Sequence, residues 1–244
     1  MKNIFFLACI IFTLFLSIGT KQCEAQTNSL KYLGNAFVKI KTFEGKIVYI
    51  DPYAVSDLDS ADIVLITHEH SDHNDLTRVT QKTGCQVIRA ANAIKDSVYQ
   101  NFVIGNIKIK AVAAYDKKWH PKFTGVGYVV EFDGIKVYHA GGTKKVPEMA
   151  DLANQNITYA LLPMTSGPEN MTEAAAMIQA KHDIPIHSKV SLDLSIDTAR
   201  IGRFASPHKL IVLPNQTIEL THDTTSSAVR ILCPAEEKLT NKQY

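Results

Sequence analysis

The 244-residue chain is poor in cysteine: it has four, and Cys9 and Cys23 fall in an N-terminal leader. Only Cys85 and Cys233 are left to the mature domain, which excludes a disulfide framework; whether those two pair or stay free thiols is open at this level. An excess of charge is also missing. Lysine and arginine number 26 against 24 acidic residues, a formal charge of +2, too balanced to point to nucleic acid or an anionic membrane as the main partner. The apolar run Ile4 to Ile18 is shorter than the ~20 residues of a membrane span. Neither a repeat of fixed period nor a low-complexity linker divides the chain. A content of 45% hydrophobic and 20% charged residues suits one globular core and rules out collagen-like, coiled-coil and disordered readings.

The leader begins with Lys2, continues through the apolar run and ends in Cys23-Glu24-Ala25. Small side chains at Cys23 and Ala25 fit a cleavage pocket, so residues 1–25 read as a signal peptide cut after Ala25. The mature domain, 26–244, is then expected to be exported, periplasmic or secreted, with no stable membrane insertion once the leader is gone. Lipid anchoring through Cys23 is the weaker rival, because Lys21 and Gln22 replace the small residues that usually precede a lipidated cysteine. An uncleaved anchor is the third reading.

Alternation from Leu30 to Pro52, broken at Glu44-Gly45-Lys46, predicts a hairpin. Further strands are expected at Ile63–Ile66, Gln86–Ile88, Ile107–Val112, Gly127–Phe132, Ile135–His139, Tyr159–Leu162 and Leu210–Leu213. Helical spacing from Thr172 to His182, with Thr172 as cap, predicts a helix. Strands interleaved with helices indicate an α/β architecture. The polar segment 221–244 is expected to be a flexible tail.

Chemistry concentrates where the run Ile63–Ile66 ends in Thr67-His68-Glu69-His70-Ser71-Asp72-His73. His68 and His70 are two apart on an extended segment and so emerge on one side. Imidazole and carboxylate together suit Zn²⁺ and its first-row neighbours, whereas calcium prefers oxygen alone. A zincin helix is excluded, because the position four residues after His68 is Asp72. Further ligands must come from elsewhere, and His120 and His187, each in a loop or just past an apolar run, are the candidates.

The series His68-x-His70-x-Asp72-His73, His120, His139-Ala140-Gly141 and Ile184-Pro185-Ile186-His187 resembles the metallo-β-lactamase superfamily, in particular its stand-alone metal-dependent hydrolases of the ascorbate-phosphate-lactonase-like group. Tyr32-Leu33-Gly34, Ile50-Asp51-Pro52, Gly125-Val126-Gly127-Tyr128 and Met171-Thr172-Glu173-Ala174-Ala175 agree with it, so the likeness runs from about residue 30 to 215. It implies a four-layer αββα sandwich with a binuclear site at one edge of the paired sheets. It also implies that His68, His70 and His120 hold a first ion and Asp72, His73 and His187 a second, with Asp72 orienting the nucleophile or relaying its proton. His139 supports such sites without ligating.

This chain departs from the family at Gly142, where an aspartate usually bridges both ions, and at Asn35, where histidine is common. One firmly bound Zn²⁺ and a weak or absent second ion are therefore expected, with Mn²⁺ or Fe²⁺ as alternatives; Gly142→Asp is expected to raise occupancy if the loop is family-like, and whether another acid such as Asp116 swings in to substitute is open at this level. The activity implied is hydrolysis by a metal-bound hydroxide of a small-molecule ester, lactone, amide or phosphoester. Lys117, Lys118, Lys122, Lys144, Lys145 and Lys189 stand beside the ligand segments; if several point inward they steer an anionic substrate, and otherwise they are solvated loop lysines. Lys118, Lys144 and Trp119 are the binding candidates, with Tyr115 as a further wall. Two competing readings are a catalytically degenerate relative that binds metal and a small molecule, and a one-metal iron oxidoreductase.

Overall fold

The computed structural model describes residues 26–222 and the strand Ile231–Leu232. The leader, with Cys9 and Cys23, and the rest of the tail, with Cys233, lie outside the described residues. Within them, Cys85 is a free, half-buried thiol, and no helix is long and apolar enough to cross a membrane.

The first sheet is built from β1 (Ser29–Gly34), β2 (Phe37–Lys41), β3 (Ile47–Ile50), β4 (Ala61–Leu65) and β5 (Gln81–Ile88). A short hairpin, β6 (Ile94–Lys95) and β7 (Val98–Tyr99), leads to the second sheet: β8 (Asn101–Ile104), β9 (Ile107–Ala113), β10 (Val126–Phe132), β11 (Ile135–His139), β12 (Tyr159–Pro163) and β13 (His182–Ile186). The chain then returns to the edge of the first sheet as β14 (Thr217–Glu219) and β15 (Ile231–Leu232). The strand orders are β15-β14-β1-β2-β3-β4-β5 and β13-β12-β11-β10-β9-β8. Part of the segment expected to be a tail is thus a strand, Ile231 pairing with Ile218.

Alternate side chains of both sheets, such as Val48, Ile50, Ile63 and Leu65 from one and Ile109, Tyr128, Val137 and Leu161 from the other, meet in one buried cluster, the period-two signature of stacked sheets. The outer face of the second sheet is covered by the 3₁₀ segment Pro147–Gln155 and by two helices of the sequence after β12, Pro168–Ile178 and Thr198–Arg203. Over the first sheet the outer layer is thin: Val55 and the 3₁₀ turn Leu76–Arg78 cover Phe37, Tyr49 and Val64. The sandwich implied by the resemblance is present, with unequal outer layers.

Three sequence expectations need correction. The Leu30–Pro52 segment makes three strands, because Gly34 and Asn35 both have positive φ (114° and 54°) and add a turn, as a Gly-Asn pair readily does. The helix expected from Thr172 starts at Pro168, whose fixed φ suits a first helical position. Thr172 lies inside it, donating to Pro168 O at 2.9 Å and accepting from Ala205 N at 2.9 Å. The helix ends at Ile178, with Gln179 left-handed behind it, and His182 begins β13. Leu210–Leu213 is not a strand. It meets β13 only around Asp183, whose N–H donates to His208 O and whose carbonyl accepts from Leu210 N. The next outward-facing position is Pro185, which has no N–H to continue the ladder.

Candidate metal centre

β3–β4–β5 and β11–β12–β13 are parallel, and β9 and β11 both run opposite to β10. The strands of each sheet that run in one direction therefore end at one edge, where the segments carrying Asn35, Asp51, His68–His73, Asp116–His120, Gly141–Gly142 and His187 follow. Carboxyl ends of parallel strands are where open α/β sheets build sites, because the chain leaves the ladder there with its side chains free to converge.

Convergence is close. One donor atom each of His68, His70 and His120 lie within 4.8 Å of one another, and so do those of Asp72, His73 and His187. In the second group His73 Nε2 is 3.1 Å from His187 Nε2, and Asp72 Oδ2 is 3.3 Å from His187 Nε2 and 3.6 Å from His73 Nε2. Donors about 2.1 Å from one tetrahedral ion stand about 3.4 Å apart, and these separations bracket that value. In the first group His68 Nε2 and His120 Nε2 are buried and have no hydrogen-bond partner. Orphaned imidazole nitrogens that face one another are costly unless an ion takes their lone pairs, so the donors fit a metal.

The other ring nitrogens explain why Nε2 faces inward. Thr67 Oγ1 donates to Asp51 Oδ2 at 2.6 Å, which leaves that hydroxyl to accept from His68 Nδ1 at 2.9 Å. His73 Nδ1 donates to Asp51 Oδ2 at 2.7 Å, and His120 Nδ1 to Asp116 Oδ2 at 3.0 Å. Each contact places the ring proton on Nδ1 and frees Nε2 as a ligand. Burial, helped by His73, pushes the His68 imidazole down to about 2, and burial with His187 holds His73 well below its ordinary value; both rings are neutral. Burial raises Asp72, but hydrogen bonds from His187 and Asn35 outweigh it and hold its carboxyl below the usual range.

Asp51 and Thr67 carry roles that the sequence reading left unassigned. Asp51 is fully buried with a left-handed backbone (φ 51°) and also accepts from Thr67 N at 2.7 Å. Its signal was present: an acid directly after the buried run Ile47–Ile50 is out of place in a core unless it is hydrogen-bonded. Asn35 is a second such residue. Its Nδ2 donates to Asp72 O at 3.0 Å and to Asp72 Oδ2 at 3.4 Å, and its carbonyl accepts from His187 N at 2.6 Å, so one turn braces two candidate ligands. His139 is buried, its Nε2 donating to Ala36 O and its Nδ1 accepting from Gly141 N, which leaves it no lone pair for an ion.

One open question and one expectation about the acids are decided here. Asp116 is committed where it stands: Oδ1 accepts from Lys118 N and Trp119 N at 2.6 Å each while Oδ2 holds His120, so it orients a histidine and does not swing in. A Cβ at Gly142 would lie 2.8 Å from His120 Nε2 and 2.9 Å from His68 Cε1. The volume a bridging aspartate would enter is filled by the two rings, which Thr67 and Asp116 anchor from behind.

A cleft of about 800 Å³ opens over both groups, and Lys118, Trp119 and Lys144 line it together with Thr165, Ser166 and Val190. Tyr115 does not; its hydroxyl donates to Glu148. Lys122 also holds Glu148, Lys145 holds Glu173 and Lys189 lies near Asp193, all outside the cleft lining.

A family model for the beta-lactamase superfamily domain matches residues 29–187. A metal-dependent hydrolase of Thermococcus onnurineus is 26% identical over 224 residues, spanning 78% of this chain and 99% of the relative. Another, from a Geobacillus species, is 31% identical over 189 residues, spanning 64% of this chain and 83% of its own length. Igni18, a metallo hydrolase of the hyperthermophilic archaeon Ignicoccus hospitalis, superposes with a TM-score of 0.64 at 21% identity, covering 81% of this chain and all of its own; at that identity the likeness concerns the fold.

Proposed function

The chain belongs to the metallo-β-lactamase superfamily, and on that premise we propose that it is a metal-dependent hydrolase that cleaves a small ester, lactone, amide or phosphoester in the cleft. The observation that carries this reading is the pair of buried, unpartnered Nε2 atoms of His68 and His120 beside His70. Three neutral imidazoles with an open fourth position make the donor set of a catalytic zinc, so His68, His70 and His120 are the firm site; Mn²⁺ and Fe²⁺ suit the same donors less selectively. Asp72, His73 and His187 form the weaker one, because glycine at 142 leaves no carboxylate between two cations that repel. A bound ion supplies Lewis acidity, bringing the pKa of water toward neutrality and offsetting the negative charge that builds on the substrate.

The protein's own contribution is orientation. Asn35 holds Asp72 at its backbone carbonyl and at Oδ2, which leaves Oδ1 to align a water in the cleft. A carboxylate with a depressed pKa is a weak base, so Asp72 positions the nucleophile and passes its proton on without retaining it. Lys118 and Lys144 at the cleft wall favour an anionic substrate.

His68→Ala is the test. Metal content by elemental analysis and turnover on a panel of p-nitrophenyl ester, lactone, amide and phosphodiester substrates are expected to fall together, turnover by more than about a hundredfold. Full turnover in metal-free His68→Ala protein would end the proposal. Gly142 favours one second reading, a relative that has lost hydrolysis and uses the site to bind; it predicts bound metal in the native chain with no turnover on that panel.

A further inference from the structure

We propose that the cleft selects an amphiphilic anion: a soluble molecule that carries a carboxylate, phosphate or sulfonate-like group together with an alkyl or aryl arm lying along Trp119 and Val190. The inference takes the location of the reacting bond from the hydrolase reading, while the binding preference stands on the cleft wall alone.

The lysines near the site sort by position. Lys122, Lys145 and Lys189, outside the cleft, each stand by a carboxylate, and Lys117 also lies outside it. Among the described residues, Lys118 and Lys144, the two that line it, have no carboxylate partner. The acids that share the lining are already engaged: Asp72 by Asn35 and His187, Asp116 by two backbone N–H groups and His120. Two exposed cations are thus left to face an incoming anion at the cleft wall, where water and salt screen the attraction but its sign still favours an anion.

Beside them stands apolar surface in contact with water. Trp119 is 64% exposed and Val190 60% exposed, both in the cleft lining. Lys118 Nζ lies 4.7 Å from the centre of the Trp119 ring, which puts a positive charge and a flat apolar face next to each other. A small, purely ionic substrate would leave this surface wet, whereas an anion with an apolar arm covers it and meets the lysines at once. About 800 Å³ is room for more than a scissile group, within the range of pockets that take drug-sized ligands.

Trp119 is the single tryptophan of the chain, so intrinsic fluorescence reports this wall directly. The full chain would be titrated with octanesulfonate, with methanesulfonate (the anion alone) and with octyl glucoside (the chain alone), metal-loaded and after chelation. Octanesulfonate is expected to shift the emission to the blue and to bind at least about tenfold more tightly than either half-ligand. Lys144→Ala should weaken octanesulfonate by about fivefold without changing octyl glucoside, and Val190→Ser should weaken both alkyl probes only. Persistence of the shift after chelation would show that the lysines, and not an ion, hold the anion. Equal binding of octanesulfonate and either half-ligand, indifference to Lys144→Ala, loss of the shift on chelation, or a shift seen only with phosphatidylglycerol vesicles would overturn the inference. Failure of turnover with probe binding intact would instead count against the hydrolase reading alone.

Discussion

Position 142 shows how one missing side chain rearranges a site. Without a Cβ, Gly142 lets His68 and His120 approach each other, and a Cβ would sit under 3.0 Å from both rings. Asp116 and Thr67 hold those rings on their far sides, so the cheapest retreat, rotation of an imidazole, breaks a hydrogen bond that sets its tautomer. The native chain is expected to keep fewer than two ions after dialysis, and Gly142→Asp to gain none. Gly142→Ala, the steric control, should lose about tenfold in affinity at the three-histidine group, read by calorimetric titration of the apo protein. Two ions in the aspartate variant would show that the rings give way. Left-handed backbone at Asn35, Asp51 and His187 (φ 54°, 51° and 49°) belongs to the same picture: residue types that tolerate this region are held in it where their partners over-determine them.

At the scale of elements, the loop between β3 and β4 is tied down by one acid. The Asp57 side chain, 4% exposed, accepts from Lys31 at 2.8 Å, Lys39 at 2.6 Å and the Tyr49 hydroxyl at 2.9 Å, and so pins the thin outer layer to β1, β2 and β3. Burial alone would raise its carboxyl, but the hydrogen bonds from Lys31 and Lys39 outweigh burial and hold it below the usual carboxylate range. A carboxylate with a lowered folded-state pKa stabilises above its unfolded value, near 4, and loses that contribution as the pH falls below it. Asp57→Asn should therefore cost about 2 kcal/mol at pH 7, measured by urea unfolding, and the gap from the native chain should close below about pH 4. A gap independent of pH would assign the effect to packing.

Over the whole molecule, the candidate ligands come from the ends of β4 (His68–His73), β9 (His120) and β13 (His187), so an ion at this edge joins both sheets. Binding to the folded state alone stabilises it by mass action, about 2.7 kcal/mol at a hundredfold excess over Kd. Chelation is expected to lower Tm by about 5–10 °C for a domain of this size, followed by scanning calorimetry, and His68→Ala should remove most of that difference. An unchanged Tm in the native chain would mean that the cluster holds its shape without an ion.

The alternating strand β9 and the abrupt change from Ile66 to Thr67-His68 were legible in sequence, because burial period and ligand chemistry are local properties of the chain. So was the grouping of His68, His70, Asp72, His73, His120 and His187 as candidates, through the spacing that a known family shares. Which acid stands behind which imidazole was not: Asp51 meets His73 only after separate strands have docked, and Asp116 becomes the anchor of His120, four residues away, only through the turn of their loop. The sorting of lysines into paired and unpaired was equally out of reach. Sequence determined which donor chemistry the chain has to offer; the tertiary structure alone decided which of those groups face one another, because contact across two sheets depends on strand direction and packing and not on distance along the chain.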